Sequence, residues 1–189
     1  MKTNKYTKFI PTYCAMSVYD IDFNKLYESG KRIILTDLDN TLISYKENQA
    51  DQKLIDLGIF LRNVGYKIFI VSNNNNNRIL EFSKTFVIDG YLSKANKPNP
   101  KKINLFIKEN ELKKEEIIYL GDQLVTDISG ANNASLDSVF VSTIDVSSQK
   151  WYTKINRTRE SKIIRNIRKF DSLAASRIEN TINRGKVNE

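Results

Sequence analysis

The sequence predicts a doubly wound α/β layer fold with a mostly parallel sheet, and three observations predict it. Four short apolar runs, "RIILT" (32–36), "KIFIV" (67–71), "EIIYL" (116–120) and "SVFVS" (138–142), are rich in β-branched and aromatic residues and nearly continuous rather than alternating. That pattern suits strands buried on both faces, as in a parallel sheet. Helix-like segments lie between the runs, which makes βαβ units. Three of the runs lead straight into small polar or acidic residues, "TDLDNTL", "VSNNNNN" and "GDQLVTD". In a parallel sheet those three ends share one edge, the edge at which such folds bind ligands.

The elements follow in order. Residues 1–30 carry no strong period, and "IPTYCAMSVYDIDFNKLYESG" reads as a short arm covering one sheet edge, anchored by Leu26 and Tyr27. "QADQKLIDLGIFLRNVG" (49–65) places Leu54, Leu57, Phe60 or Leu61, and Val64 at helical spacing, with Gly65 as the stop. "NRILEFSKTF" (77–86), "PKKINLFIKEN" (100–110) and "TDISGANNA" (126–134) are the further helices. Residues 31–149 thus form the core. Residues 150–189 form a basic amphipathic segment, in which eleven Lys and Arg against four Asp and Glu leave a net +7 of the chain's +8.

Composition narrows the chemistry. At 40% hydrophobic, the 189 residues can bury a core without a disulfide or metal staple. Cys14 is the single cysteine, as expected in a reducing cytoplasm. The apolar runs are far shorter than the roughly 20 residues a membrane span needs, and the start has no sustained hydrophobic stretch, so the expectation is a cytoplasmic chain. The absence of histidine removes His triads, His nucleophiles and His metal ligands. Cys14 has no Arg six residues on, and neither a G-x-x-x-x-G-K-[ST] loop nor a G-x-G-x-x-G turn is present. Carboxylates, hydroxyls, amides and lysines must do the work.

Asp37 and Asp39 stand two residues apart at a strand end, so in extended backbone both carboxylates can face the crevice. Asp122 brings a third acid from another strand. Carboxylates converging there with backbone carbonyls and water make a hard oxygen site suited to Mg²⁺, and their mutual repulsion calls for a cation. One Asp after one strand is more often a helix cap or a turn former. Three at one edge are harder to explain that way.

D-x-D-x-T after an apolar strand, a Ser after the next, a later Lys, and "GD" followed by another Asp resemble the four ordered motifs of the haloacid dehalogenase (HAD) phosphatases. Here they are Asp37, Asp39 and Thr41; Ser72; Lys97; and Asp122 with Asp127. Together with the Lys97-Pro98 pair, "TDLDNTL", "IVSNNN" and "GDQLVTD" resemble the YqeG-type subgroup, whose mitochondrial relatives are phosphatidylglycerophosphate phosphatases. The resemblance implies that Asp37 is a nucleophile forming an aspartyl-phosphate and that Asp39 is the general acid and base. It implies Mg²⁺ held by Asp37, the backbone carbonyl of Asp39 and Asp122. Thr41, Ser72, Asn73 and Lys97 would meet the substrate phosphate, with Lys94, Lys101 and Lys102 standing close to Lys97. Asp127 would orient Lys97 or a metal-bound water from one layer out. On this reading the asparagine run is partly site and partly helix start, Asn73 in the loop and Asn74 to Asn77 beginning the helix.

Only 30 residues (42–71) separate the first two motifs and 24 (73–96) separate Ser72 from Lys97, too few for a folded cap. An uncapped site suits bulky or membrane-bound phosphate monoesters, and the resemblance points to phosphatidylglycerophosphate. A soluble sugar or nucleotide phosphate is the alternative substrate. In the tail, Ile163, Ile164, Ile167, Phe170, Leu173 or Ala174, Ile178 and Ile182 recur at helical intervals, with Lys162, Arg165, Arg168 and Lys169 on other faces. That pattern fits a helix packed on the core, a helix lying on an anionic membrane, or both. Trp151 and Tyr152 could sit at a membrane interface or in the core. A nucleic-acid or ribosome-binding role for the basic tail lacks any recognised motif. Composition and spacing leave the oligomeric state undetermined.

Overall fold

The computed structural model describes residues 4–145 and 151–185, with the backbone alone for 151–157 and 184–185. Six parallel strands form its sheet: β1 (Tyr13–Ala15), β2 (Ile33–Thr36), β3 (Lys67–Val71), β4 (Gly90–Leu92), β5 (Ile117–Gly121) and β6 (Asp137–Val141). Their order across the sheet is β1-β6-β5-β2-β3-β4. From β2 the chain winds outward through β3 and β4, then crosses back to lay β5 and β6 on the other side. The winding direction therefore reverses between β2 and β5, and the crevice beyond such a point is where doubly wound folds hold ligands. Asp37 follows β2 and Asp122 follows β5.

Helices α1 (Phe23–Glu28), α2 (Gln52–Val64), α3 (Asn76–Phe82), α4 (Lys101–Glu109) and α5 (Ser129–Asn133) cover the sheet. Successive strand residues point to opposite faces, which divides the core in two. Ile34, Ile68, Ile70, Ile118 and Leu120 pack with Leu54 and Leu61 of α2 and with Ile79 and Phe82 of α3. Ile33, Leu35, Phe69, Ile117 and Tyr119 pack with Ile103, Phe106 and Ile107 of α4 and with Ala131 of α5. Asp51 caps α2 by accepting from the Leu54 N–H at 2.8 Å, and Gly65 ends that helix in the left-handed region at φ 110. Between Asp37 and Asp51 lies a loop, and between Ser72 and Lys97 lie α3 and β4. Neither holds an inserted cap.

The ends of the chain differ from the sequence expectation. The leading segment does more than cover an edge: residues 13–15 enter the sheet as β1, paired in parallel with residues 139–141. Leu26 is buried, and Tyr27 packs edge-on against Tyr66. The tail is not one helix. It breaks after α6 (Trp151–Arg168) and resumes as α7 (Ser172–Gly185), because Asp171 accepts from the Ala174 N–H at 2.8 Å and starts a new helix. Ile163, Ile164, Ile167, Ala174, Ala175 and Ile178 pack with Leu124, Ile128 and Phe140, so this stripe is core. Of the two candidates Leu173 and Ala174 it is Ala174 that joins the stripe, while Phe170, expected within it, and Leu173 sit at the turn and are 43% and 71% exposed. The side chains of Trp151 and Tyr152 lie outside the described residues. No described helix is long and apolar enough to cross a membrane.

Candidate active site

Lys97 is the centre of the crevice. Its ammonium is buried and lies 2.7 Å from Asp37 Oδ1, 2.7 Å from Asp127 Oδ1, 2.8 Å from the Val71 carbonyl and 3.1 Å from the Tyr119 hydroxyl. The neighbouring Lys94, Lys101 and Lys102 are exposed. Asn73 fixes the lysine's backbone, accepting from the Lys97 N–H at 2.8 Å and donating to its carbonyl at 3.2 Å; the Lys97-Pro98 peptide is cis. The Asn73 side chain is thus engaged in placing Lys97, which leaves the expected contact with the phosphate to the Asn73 backbone N–H.

Asp37, Asp122 and Asp127 are all buried, and each brings one carboxylate oxygen within 4.8 Å of the others. Asp127, expected one layer out, therefore stands inside the acidic group. Gly121 permits this, because a Cβ there would fall 2.3 Å from Asp127 Cβ. The Asp127 carboxylate also accepts from the Gln123 N–H at 3.1 Å, which fixes it within its own turn, a π-helical stretch over Leu124–Ile128. Thr143 donates to Asp122 at 2.7 Å, while Thr41, expected at the substrate, is buried with its hydroxyl 3.5 Å from Asp122.

Three buried carboxylates face one ammonium, so the well holds an excess of negative charge. Burial raises the Asp37 carboxyl well above the usual carboxylate range; Lys97 draws it back, while Asp127, Asp39 and Asp122 push it further up. Burial also works against the Lys97 charge, but Asp127 and Asp37 outweigh that loss and hold the ammonium well above the usual lysine range. Hard oxygen donors with unbalanced negative charge are the donor set a divalent cation such as Mg²⁺ requires. The residues present fit one.

Asp39 departs from the pattern. The backbone turns directly after it, with Asn40 at φ 65, and its carboxylate leaves the acidic well for the rim. There Arg78 holds Oδ1 through Nε at 2.9 Å and Nη2 at 2.8 Å, while Asn74 donates to Oδ2 at 2.5 Å. Ser72, at the end of β3, is buried, and its Oγ accepts from the Asn74 N–H at 3.0 Å. Asn75 caps α3, within the stretch expected to begin that helix.

Arg78, Asn74, Tyr119 and Thr143 were not legible as site residues. For Arg78 a signal exists: it is the single basic residue between Lys67 and Lys84, and it stands in the first turn of a helix, where a cation opposes the helix dipole. For Tyr119 and Thr143 the positions on β5 and just beyond β6 read only as strand.

Comparison with known proteins agrees with this geometry. The profile of the haloacid dehalogenase-like hydrolases matches residues 59–141. The "Probable phosphatase YqeG" of Bacillus subtilis (strain 168) is 36% identical over 156 residues, covering 82% of this chain and 90% of that one. An uncharacterized protein from Listeria monocytogenes serotype 4b superposes with a TM-score of 0.51 at 14% identity, over 63% of this chain and 85% of that one. The D,D-heptose 1.7-bisphosphate phosphatase from B. bronchiseptica, complexed with magnesium and phosphate, gives a TM-score of 0.50 at 14% identity, over 59% and 81%. Those two likenesses concern the fold. The identity to the Bacillus protein carries the rest: this chain belongs to the haloacid dehalogenase-like hydrolases and, within them, to the YqeG-type phosphatases.

Proposed function

We infer that the protein hydrolyses phosphomonoesters through a covalent aspartyl-phosphate on Asp37, with phosphatidylglycerophosphate as its substrate. One observation carries the chemistry: a buried carboxylate at the reversal point of the sheet, bonded to a buried lysine and grouped with two further acids. The Asp37 carboxylate attacks phosphorus, forming an O–P bond as the ester P–O bond breaks. Asp39 gives its proton to the leaving alkoxide. It then takes a proton from the water that attacks the aspartyl-phosphate, so that inorganic phosphate leaves and Asp37 is restored. Lys97, the Ser72 hydroxyl and the Asn73 backbone N–H hold the phosphoryl oxygens, and a hydroxyl that accepts from Asn74 keeps its own proton to donate. Asp37, Asp122 and Asp127 would hold Mg²⁺, with the Asp39 carbonyl as a further ligand. When bound, the cation supplies charge neutralisation and alignment of the phosphoryl group.

The lipid assignment is supported by the YqeG-type relationship, by the uncapped crevice and by the tail. Lys162, Arg165 and Lys169 are exposed, as are Phe170 and Leu173 at the turn, while Arg168 pairs with Glu179; exposed basic and apolar side chains of this kind suit anionic lipid. Residues 31–149 are on this reading the catalytic core, with residues 13–15 completing its sheet edge and the described residues of α6 and α7 covering its flank.

The test is phosphate release from phosphatidylglycerophosphate in anionic vesicles, with and without Mg²⁺, beside a panel of soluble sugar, nucleotide and alkyl phosphates. Mg²⁺-dependent turnover of the lipid that is lost in Asp37→Asn is the expected result. Turnover of soluble esters alone removes the lipid while leaving the chemistry. No turnover of any ester, with salt-sensitive retention of RNA instead, overturns the reading entirely.

A further inference from the structure

Arg78 is the most fully engaged side chain at the rim. A guanidinium has five N–H donors in a fixed fork, and Arg78 has five contacts for them. Nε and Nη2 meet Asp39 Oδ1 at 2.9 and 2.8 Å; Nη2 also donates to the Ser44 carbonyl at 3.1 Å; Nη1 donates to Asn48 Oδ1 at 2.6 Å and to the Glu47 carbonyl. Its side chain and that of Asp39 are each only 12% exposed. These contacts do two things together. They fix the rotation of the Asp39 carboxylate, whose other oxygen is held by Asn74. They also tie residues 44–48, within the loop that follows the nucleophile motif, to the first turn of α3.

Without Arg78, Asp39 would stand beyond a sharp turn with a single amide to orient it. The buried acids Asp37, Asp122 and Asp127 would repel its charge, with nothing at the rim to answer them. We propose that Arg78 is the positioning residue for Asp39, holding the general acid and base at the leaving-group side and setting the 44–48 loop against it. Arg78 itself is not a phosphate ligand, because its donors are already committed within the protein. This role rests on the assignment of Asp39 given above.

A positioning role through Asp39 has a kinetic signature that loss of structure does not share. An alkoxide leaving group needs a proton from Asp39, whereas p-nitrophenolate departs without one. The experiment compares kcat/KM, in saturating Mg²⁺, for p-nitrophenyl phosphate and for whichever alkyl phosphomonoester the wild type turns over best, with folding checked by thermal melting. General acid catalysis is worth on the order of 10²–10⁴-fold, so Asp39→Asn should lower the alkyl value about 100-fold or more relative to the aryl value. Arg78→Ala should lower the alkyl value on the order of tenfold or more relative to the aryl one, and free guanidinium at tens of millimolar should restore part of it. Equal loss on both esters, or no loss, overturns the proposal.

Arg78→Lys covers the case in which the alanine variant does not fold. It keeps the charge but has three donors on a flexible stem, and a smaller loss confined to the alkyl ester is expected. An unchanged ratio of the two esters in Arg78→Lys overturns the proposal by itself. If Asp39→Asn spares the alkyl ester, the acid assignment fails; if only the Arg78 variants spare it, the positioning role fails alone.

Discussion

Asp37 and Asp39 are two residues apart and live in opposite surroundings. Asp37 lies in a buried well where three carboxylates share one ammonium. Asp39 lies at the rim, where one carboxylate meets one guanidinium and one amide. The well is short of positive charge and the rim is balanced. Unbalanced charge therefore concentrates around Asp37, while the Asp39 carboxylate is held by hydrogen bonds on both of its oxygens. Buried charge is tolerated at a functional site only when the surrounding fold is stable enough to impose it.

The contrast can be broken by removing its charges one at a time. Asp37→Asn has the largest expected effect: on the proposed mechanism it removes the nucleophile, and turnover should fall on the order of 10⁴-fold or more. The same change should raise the melting temperature of the metal-free protein. The sign follows from the raised Asp37 carboxyl: its stabilising contribution is full below its unfolded value of 3.8 and is lost as the pH climbs through the raised folded value. The amide does not titrate, so the gain should vanish near pH 3 and grow as the pH rises toward the raised folded value. A lower melting temperature for Asp37→Asn at pH 7, measured in chelator, would contradict the charge imbalance.

Lys97→Met leaves three buried acids without an ammonium. Breaking such a buried pair costs about 3–5 kcal/mol, to be read from urea unfolding in chelator, and Mg²⁺ should restore more stability to this variant than to the wild type. An equal Mg²⁺ increment in both proteins would show that the cation does not answer the same charges. At the rim the sign reverses relative to Asp37: Asp39→Asn removes a partner of Arg78 and should destabilise the metal-free protein by roughly 1–3 kcal/mol. If both aspartate variants move the melting temperature the same way, the two regions do not differ as described.

The smallest effect tests a more distant support of the well. Glu160 of α6 is buried and accepts from the Leu124 N–H at 2.7 Å, at the start of the turn that carries Asp127. Glu160→Gln keeps an acceptor but loses charge assistance, which costs about 1 kcal/mol, and it should weaken the apparent Mg²⁺ affinity a few-fold with the fold intact. Unchanged Mg²⁺ dependence would confine Glu160 to packing.

Legibility in the sequence followed the same division. The four central strands could be read because burial on both faces demands continuous apolar runs. β1 and β4 are three residues long, and of their residues none is fully buried, so they leave little pattern. The break between α6 and α7 was hidden because the apolar period runs on through Phe170 and Leu173, while one hydrogen bond at Asp171 decides the issue. In the well, Asp37, Lys97 and Asp122 stand at strand ends or near them in a telling order. At the rim, Arg78 and Asn74 become partners of Asp39 only after the backbone has turned at Asn40; the sequence marks Arg78 as an unusual cation in a first helical turn but does not say which acid it meets.

The pairing of β1 with β6 also bears on how the protein comes off the ribosome. Tyr13 to Ala15 are made more than a hundred residues before their partners Val139 to Val141. Until then the first strand can close no sheet, and such long-range pairing is slow. The first strand to be made is thus the last to be placed, and the tail that covers it arrives later still.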